Sequence, residues 1–272
     1  MPVASLDRAL DLIESLAAAP EGMPLSDLAR RLGMPKSAAH RLLATLSARG
    51  YVAQDPVTQM YGLSLRLAGL AFAMLDRRRL PDLAQGVLDE LARRTREYCR
   101  LALAEGSELI WVARAQGATQ ALRYEPEMGQ TVVLHATATG KAWLATMPEA
   151  DALALVAARG FAVPPHFGPR AVRDLAALSE HLAATRRQGY GLAVDEGEPG
   201  TVALAVAFRA WDGPDAPVAG TLSVAGPLSR LPPAAYPTLV AALRLAAGRM
   251  AELWPLRRRH MAGLERPAGT SG

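Results

Sequence analysis

One short segment carries the side chains best suited to contact nucleic acid. From residue 36 the sequence reads KSAAHRLLAT, and a helical period places its leucines on one face. The opposite face is cationic, hydrogen-bonding or small. Cations bind phosphates and polar side chains read base edges when a helix enters the major groove. We therefore predict a DNA-binding set that consists of Lys36, Ser37, His40, Arg41, Thr45 and Arg30.

A tight turn precedes this helix and joins it to another. Apolar residues recur from 25 to 32 at helical spacing, which predicts a helix with Ser26 at its N-cap. Gly33 suits a left-handed C-cap, and Pro35 prevents the first helix from continuing. The combination favours a helix-turn-helix over the alternative, a helical hairpin with an ordinary solvated face.

The flanking segments complete a winged helix-turn-helix. An amphipathic helix is expected over 5–18. It would complete the core, since a helix pair alone has too small a core to fold. Short strands are expected over 51–54 and 60–63, around a turn that contains Asp55 and Pro56. The predicted inner face of the first helix consists of Leu6, Leu10, Ile13 and Ala17.

The composition is that of a globular protein with two modest domains. The chain has 272 residues, half of them hydrophobic, a formal net charge of +4 and a single cysteine, Cys99. An intramolecular disulfide is therefore impossible. No signal peptide is evident, and no apolar run reaches the roughly 18 residues of a membrane helix. We expect a cytoplasmic protein without a membrane partner.

The remaining sequence predicts an α+β fold. The expected organisation is a winged helix-turn-helix over 1–64, a linker helix over 65–80, a domain over 81–256 and a disordered tail over 257–272. Alternating patterns predict an antiparallel sheet of about six strands, flanked by helices. Two of those strands are expected at 121–124 and 131–134.

These segments resemble the IclR-type bacterial transcriptional regulators over nearly the whole chain. The resemblance rests on SLDRALDLIESLA and LSDLARRLGMPKSAAHRLLATLSARGYV near the N-terminus, and on LHATATGKAWLA and AGTLSVAGP in the second half. It implies a linker helix that leads to a GAF-like effector-binding domain. It also implies a homodimer or homotetramer on a palindromic operator, as repressor or activator.

The resemblance also implies where an effector binds. It indicates a pocket on one side of the sheet, with a candidate set that consists of Ala138, Thr139, Ala193, Ala203, Leu204, Ser223, Arg123 and His135. Relatives commonly have aspartates at positions 193 and 194, a cysteine at 203, a proline at 207 and a serine at 225. Here these residues are Ala193, Val194, Ala203, Ala207 and Ala225. A pocket with fewer hydrogen-bonding groups predicts an aromatic or otherwise apolar organic acid rather than a small oxo-acid.

Enzyme interpretations are weaker. Thr139-Gly140-Lys141 ends like a phosphate-binding loop, but His135 and Ala142 stand where that motif needs glycine and a hydroxyl. Cys99 paired with His135 is less plausible than a buried structural cysteine. We expect no catalytic residues, cofactor or metal. The leading hypothesis is a transcriptional regulator whose partners are double-stranded DNA and a small-molecule effector. The alternative is a small-molecule-binding or catalytic α+β protein whose N-terminal helices mediate protein contacts.

Overall fold

The computed structural model describes residues 3–77, 80–120, 131–211 and 216–264. The chain divides into two compact units, 1–77 and 78–272. Among the described residues, no helix is both long enough and apolar enough to cross a membrane.

The first unit is a winged helix-turn-helix. Its core joins Leu12 and Leu16 to Leu28, Leu43 and Tyr61. The hairpin pairs its two strands antiparallel, with Ala53 opposite Gly62. The elements in chain order are α1 (Ala4–Ala17), α2 (Leu25–Arg31), α3 (Lys36–Ala48), β1 (Val52–Gln54), β2 (Tyr61–Leu63) and α4 (Arg66–Arg77).

The α2–α3 turn is held by backbone geometry. Gly33 has φ of 58°, and its N–H donates to Arg30 O while the N–H of Met34 donates to Ala29 O. This is the Schellman arrangement, which satisfies the last carbonyls of α2. Met34 also packs against Ala29 and Ala39, which ties the turn to both helices. The cap predicted at the other end of α2 is wrong: Pro24 holds the N-cap position, because α2 already begins at Leu25.

The predicted inner face of α1 is wrong in part. Leu6 and Leu10 are 58% and 49% exposed, and Ala17 is exposed too, whereas Leu12 and Leu16 are buried. The helix carries two apolar stripes, and only the one through Leu12 and Leu16 contacts the other helices. Periodicity detects both stripes but does not tell which one faces the core.

The second unit is a five-stranded antiparallel sheet with helices on both faces. The strand order is β4-β3-β7-β6-β5. A short 3-10 turn, Pro233–Ala235, precedes the last helix. The elements are α5 (Leu80–Thr95), β3 (Tyr98–Glu105), β4 (Glu108–Gln116), α6 (Ala138–Leu144), α7 (Glu149–Arg159), α8 (Leu175–Gln188), β5 (Gly191–Val194), β6 (Thr201–Arg209), β7 (Val218–Pro227) and α9 (Tyr236–Leu264).

Successive side chains of a strand contact different helices on the two faces of the sheet. On β6, Phe208 makes an edge-to-face contact with Trp254 of α9, at 5.3 Å between centroids. Ala205 of the same strand points the other way and packs against Ala138 and Ala142 of α6. The α5–α9 pair therefore covers one face of the sheet, and α6 covers part of the other.

Two expectations for this unit need adjustment, and a third is not tested. Residues 131–134 form no strand, and only Thr131 makes an isolated bridge to Ile110, because a turn already begins at Leu134. The strand expected at 121–124 lies outside the described residues. Helix α9 continues through Leu264, so the described part of the predicted tail is helical, in keeping with its leucine, arginine, methionine and alanine content.

The close approach of α6 to β5 gives a stability prediction. A Cβ added to Gly191 would lie 2.2 Å from Ala138 O and 2.8 Å from Ala142 N, both backbone atoms. We expect Gly191→Ala to lower the free energy of unfolding by about 3 kcal/mol in urea denaturation, because the helix must move away. Gly197→Ala is the control, since its nearest contact would be Ala136 O at 3.8 Å. Equal stabilities for the two variants would contradict this packing.

Candidate DNA-binding and effector-binding sites

The predicted DNA-binding residues are all exposed in the first unit. All six side chains are exposed, whereas Ala39 and Leu43 on the opposite side of α3 are buried. Of these six residues, only Arg30 takes part in an ion pair recorded for the described residues. Its partner is Asp27 of the same helix, at 3.0 Å. The resulting face is cationic and accessible to a duplex. It consists of Lys36, Ser37, His40, Arg41 and Thr45 on α3, with Arg30 at the end of α2.

Two aligned rows of side chains cross the α6 side of the sheet. Residues paired across neighbouring antiparallel strands point to the same face. The first row runs across all five strands, as does the second. The rows are Ala193, Ala203, Ala225, Tyr98 and Gln116, and then Gly191, Ala205, Ser223, Arg100 and Arg114.

These rows bring together part of the predicted effector-binding set. Ala193, Ala203 and Ser223 lie in them, and Ala138 packs over their alanines at the start of α6. Thr139, the next residue of α6, is buried. Leu204 is placed differently: it pairs with Val224, and alternation turns it to the α9 side, so it cannot line the same surface. Arg123 lies outside the described residues.

His135 sits just before α6 and is buried against Phe161, with ring centroids 5.0 Å apart. Its Nε2 atom has no hydrogen-bond partner among the described residues. Burial, and then the charge of Lys141, lowers the pKa of His135. The ring is therefore predominantly neutral at neutral pH and is poorly suited to bind an anion as a cation.

Arg100 is the residue of this surface that the sequence interpretation missed. Its guanidinium carbon lies 3.6 Å from the centroid of the Trp111 indole, in cation–π contact. Its neighbour in the row is Ser223. Arg100 lies in the segment CRLALA, whose side chains alternate between the two faces of the sheet. This alternation, which can be read from the sequence, places Arg100 on the face opposite to Cys99 and Leu101.

A buried ion pair fixes α6 beside this surface. The Nζ of Lys141 donates to both carboxylate oxygens of Glu196 at 2.6 Å, to Leu192 O at 3.0 Å and to His181 Nδ1 at 2.8 Å. The side chain of Lys141 is fully buried, so its three donors need these partners. Because an ammonium group can only donate, Nδ1 of His181 accepts and its ring is neutral.

Cys99, considered above as a nucleophile, is buried in β3. Burial raises the pKa of the Cys99 thiol to about 12, so it is not a nucleophile at neutral pH. No group of histidine, cysteine and acidic side chains within the described ranges could hold a metal ion.

A helix-turn-helix followed by an α+β ligand domain defines a class of DNA-binding regulators. Two family models match: the IclR helix-turn-helix domain at residues 5–56, and the C-terminal domain of the bacterial transcriptional regulator IclR at residues 72–251. The chain belongs to the IclR family of bacterial transcriptional regulators. It is a ligand-responsive transcriptional regulator that binds DNA through its helix-turn-helix.

Named relatives agree with this assignment. The chain is 32% identical to the glycerol operon regulatory protein of Streptomyces griseus, over 89% of this chain and 92% of that protein. It is 31% identical to the HTH-type transcriptional regulator XynR of Escherichia coli, over 76% and 81% of the two chains.

Solved structures show the same fold. An IclR homologue from Microbacterium hydrocarbonoxydans, complexed with 4-hydroxybenzoate, has a TM-score of 0.73, is 26% identical and covers 93% of this chain and 99% of its own. HmgR of Pseudomonas aeruginosa has a TM-score of 0.64, is 29% identical and covers 92% and 100%.

The hydrogen bonds of the buried Lys141 predict that the free energy of unfolding depends on pH. Burial, and then the charge of Lys141, lowers the pKa of His181 below its ordinary 6.5. As the pH falls through 6.5 the unfolded state takes up a proton first, so stability is full above that value and is lost below it. His181→Asn keeps an acceptor for Lys141 without titrating. We expect the loss of unfolding free energy between about pH 7.5 and 5.5 to shrink by about 1 kcal/mol. An identical pH dependence in both proteins, measured by urea denaturation, would contradict this account.

Proposed function

We propose that this regulator binds a palindromic operator as a homodimer or homotetramer, acts in the cytoplasm and has no catalytic activity. We further propose that its effector is an aromatic organic acid. The observation that carries the DNA-binding part is the exposed cationic face of α3, backed by a leucine core. Cations on such a face bind phosphates, and Ser37, His40 and Thr45 supply hydrogen-bonding groups for base edges.

Exposed apolar side chains in the first unit support self-association. Leu70 and Phe72 of α4 are 51% and 69% exposed, and Leu6 and Leu10 of α1 are exposed as well. Several large exposed apolar side chains on one small unit are typical of a protein interface. A dimer would present two α3 helices to successive turns of a duplex, roughly 34 Å apart or a multiple of that distance.

The chemistry of the two rows supports an aromatic acid as effector. At the β5–β6 end the rows consist of Ala193, Ala203 and Ala205, which form an apolar cluster with Ala138 and Ala142 of α6. At the β3 end they carry Arg100, whose guanidinium lies over the Trp111 indole with its N–H groups at its edges, the geometry that binds a carboxylate. A ring beside the alanine cluster would place its carboxylate near Arg100. The 4-hydroxybenzoate bound by the Microbacterium homologue is such a molecule.

Replacing Arg41 tests the DNA-binding proposal. The operator would first be obtained by sequencing genomic fragments that the purified protein retains. We expect Arg41→Ala to weaken operator binding about tenfold in fluorescence anisotropy, because it removes one charged contact. A flatter salt dependence would identify a phosphate contact, and relaxed specificity would identify a base contact. Footprinting should show two half-sites.

Arg93→Ala is the matched control, since Arg93 is an exposed arginine of the second unit. It should bind the operator like the unmodified protein. Absence of salt-dependent duplex binding by the unmodified protein would instead favour the alternative, in which the N-terminal helices mediate protein contacts.

Calorimetry with two classes of acid tests the effector proposal. We expect 4-hydroxybenzoate to bind more tightly than pyruvate, because the alanine surface offers little to a small polar molecule. Arg100→Gln should weaken 4-hydroxybenzoate binding about tenfold or more, by loss of a charge-assisted hydrogen bond. Arg187→Gln, an exposed arginine of α8, is the control. Tight binding of pyruvate alone would refute an aromatic effector.

A further inference from the structure

A second cavity lies on the other side of the sheet. Its volume is about 770 Å³, within the range of small-molecule sites. It is formed by the end of α5, the segment 117–120 after β4, the loop before α9 and the first turns of α9. Among the residues that the structure describes, none in its wall belongs to the two rows or to the predicted effector-binding set.

The alternation of β3 separates this cavity from the effector surface. Tyr98 and Arg100 belong to the rows and point to the α6 side of the sheet. Cys99, between them, points towards α5, with its Sγ 3.5 Å from Thr95 Oγ1. Thr95 lines the cavity, as do Leu239 and Ala242 of α9. The cavity therefore opens on the α5–α9 side, and a molecule bound there would not compete for the rows.

Its wall combines an apolar surface with arginines. Leu231 and Leu239 are buried beneath it, and Leu245 is 45% exposed at its edge. The charged residues in the wall are Arg94, Arg96, Arg230 and Glu97. An apolar surface next to guanidinium groups suits an amphipathic anion.

The carboxylate in the wall is already neutralised. Glu97 is 3% exposed and receives two hydrogen bonds from Arg230, Nε to Oε1 at 2.5 Å and Nη2 to Oε2 at 2.7 Å. Arg94 is paired with Glu90, Nε to Oε1 at 2.7 Å. Arg96 is exposed and forms none of the ion pairs recorded for the described residues, so the described part of the wall carries a net positive charge.

The backbone at Arg96 is unusual for its residue type. It follows the last residue of α5 with φ of 53°, a conformation that costs an L residue about 1–2 kcal/mol and that glycine adopts freely. At the equivalent position after α7 and α8 the chain has Gly160 and Gly189, both at positive φ. Arginine therefore occupies a position where glycine would give the more relaxed helix end, and its guanidinium in the cavity wall is what glycine could not supply.

We propose that this cavity is a second small-molecule site that takes an amphipathic organic anion. The apolar body lies against Leu231 and Leu245, and the anionic group is bound by Arg96 beside the Arg230–Glu97 pair. The site is separate from the effector surface and extends the function proposed above.

The test uses anilinonaphthalene sulfonate, an apolar fluorescent bicycle with one anionic group, titrated into the full-length protein. Arg96→Gly should weaken its binding about tenfold, by loss of a charged hydrogen bond. The thermal midpoint of the unliganded variant should be unchanged or raised, because glycine suits the positive φ. Loss of binding without loss of stability separates a ligand-binding arginine from a structural one.

Two further measurements decide between the remaining outcomes. Phenylnaphthylamine, a related molecule without the sulfonate, should bind the unmodified protein and Arg96→Gly equally, and Arg96→Lys should restore most of the sulfonate binding. The proposal is overturned if Arg96→Gly binds the sulfonate normally, or if it loses both molecules. It is also overturned if Arg100→Gln, rather than Arg96→Gly, weakens sulfonate binding, since the probe would then occupy the two rows. These outcomes do not depend on DNA binding or on the effector proposal being correct.

Discussion

The buried ammonium group of Lys141 is the interaction on which the geometry of the proposed effector surface, the two rows on the α6 side of the sheet, depends. A buried charge costs several kcal/mol unless its donors are satisfied, and here they are satisfied by His181, Leu192 O and Glu196. Those partners lie on α8, on β5 and in the segment after β5. One side chain therefore holds α6 against three parts of the chain, and α6 in turn carries Ala138 over the alanines of β5 and β6.

The sheet separates two chemically different surfaces because successive residues of a strand point in opposite directions. On β3, Tyr98 and Arg100 belong to the effector rows, whereas Cys99 packs against α5. Glu97, directly before the strand, lies in the wall of the second cavity. An aromatic acid on one face and an amphipathic anion on the other would thus lie on opposite sides of the sheet without sharing a single side chain.

The features that sequence predicted well are those that local residues determine. Gly33 and Pro35 mark the α2–α3 turn by backbone geometry alone, and the leucines behind α3 follow from periodicity. The effector surface was predicted less completely, because it depends on which residues of β3, β6 and β7 are paired. That register joins Arg100 to Ser223 across more than half of the second unit. Leu204 was therefore assigned to the wrong face and Arg100 was missed.

The incorrect prediction for α1 is informative about assembly. Periodicity assigned Leu6 and Leu10 to the core because leucines at that spacing are usually buried, yet in the single chain they face outwards, as do Leu70 and Phe72 of α4. Scattered exposed leucines need no explanation, but two amphipathic helices of one small unit that both expose their apolar sides do. The spacing that predicts burial agrees with the proposed oligomer, in which a second copy would supply the contacts that the isolated unit lacks.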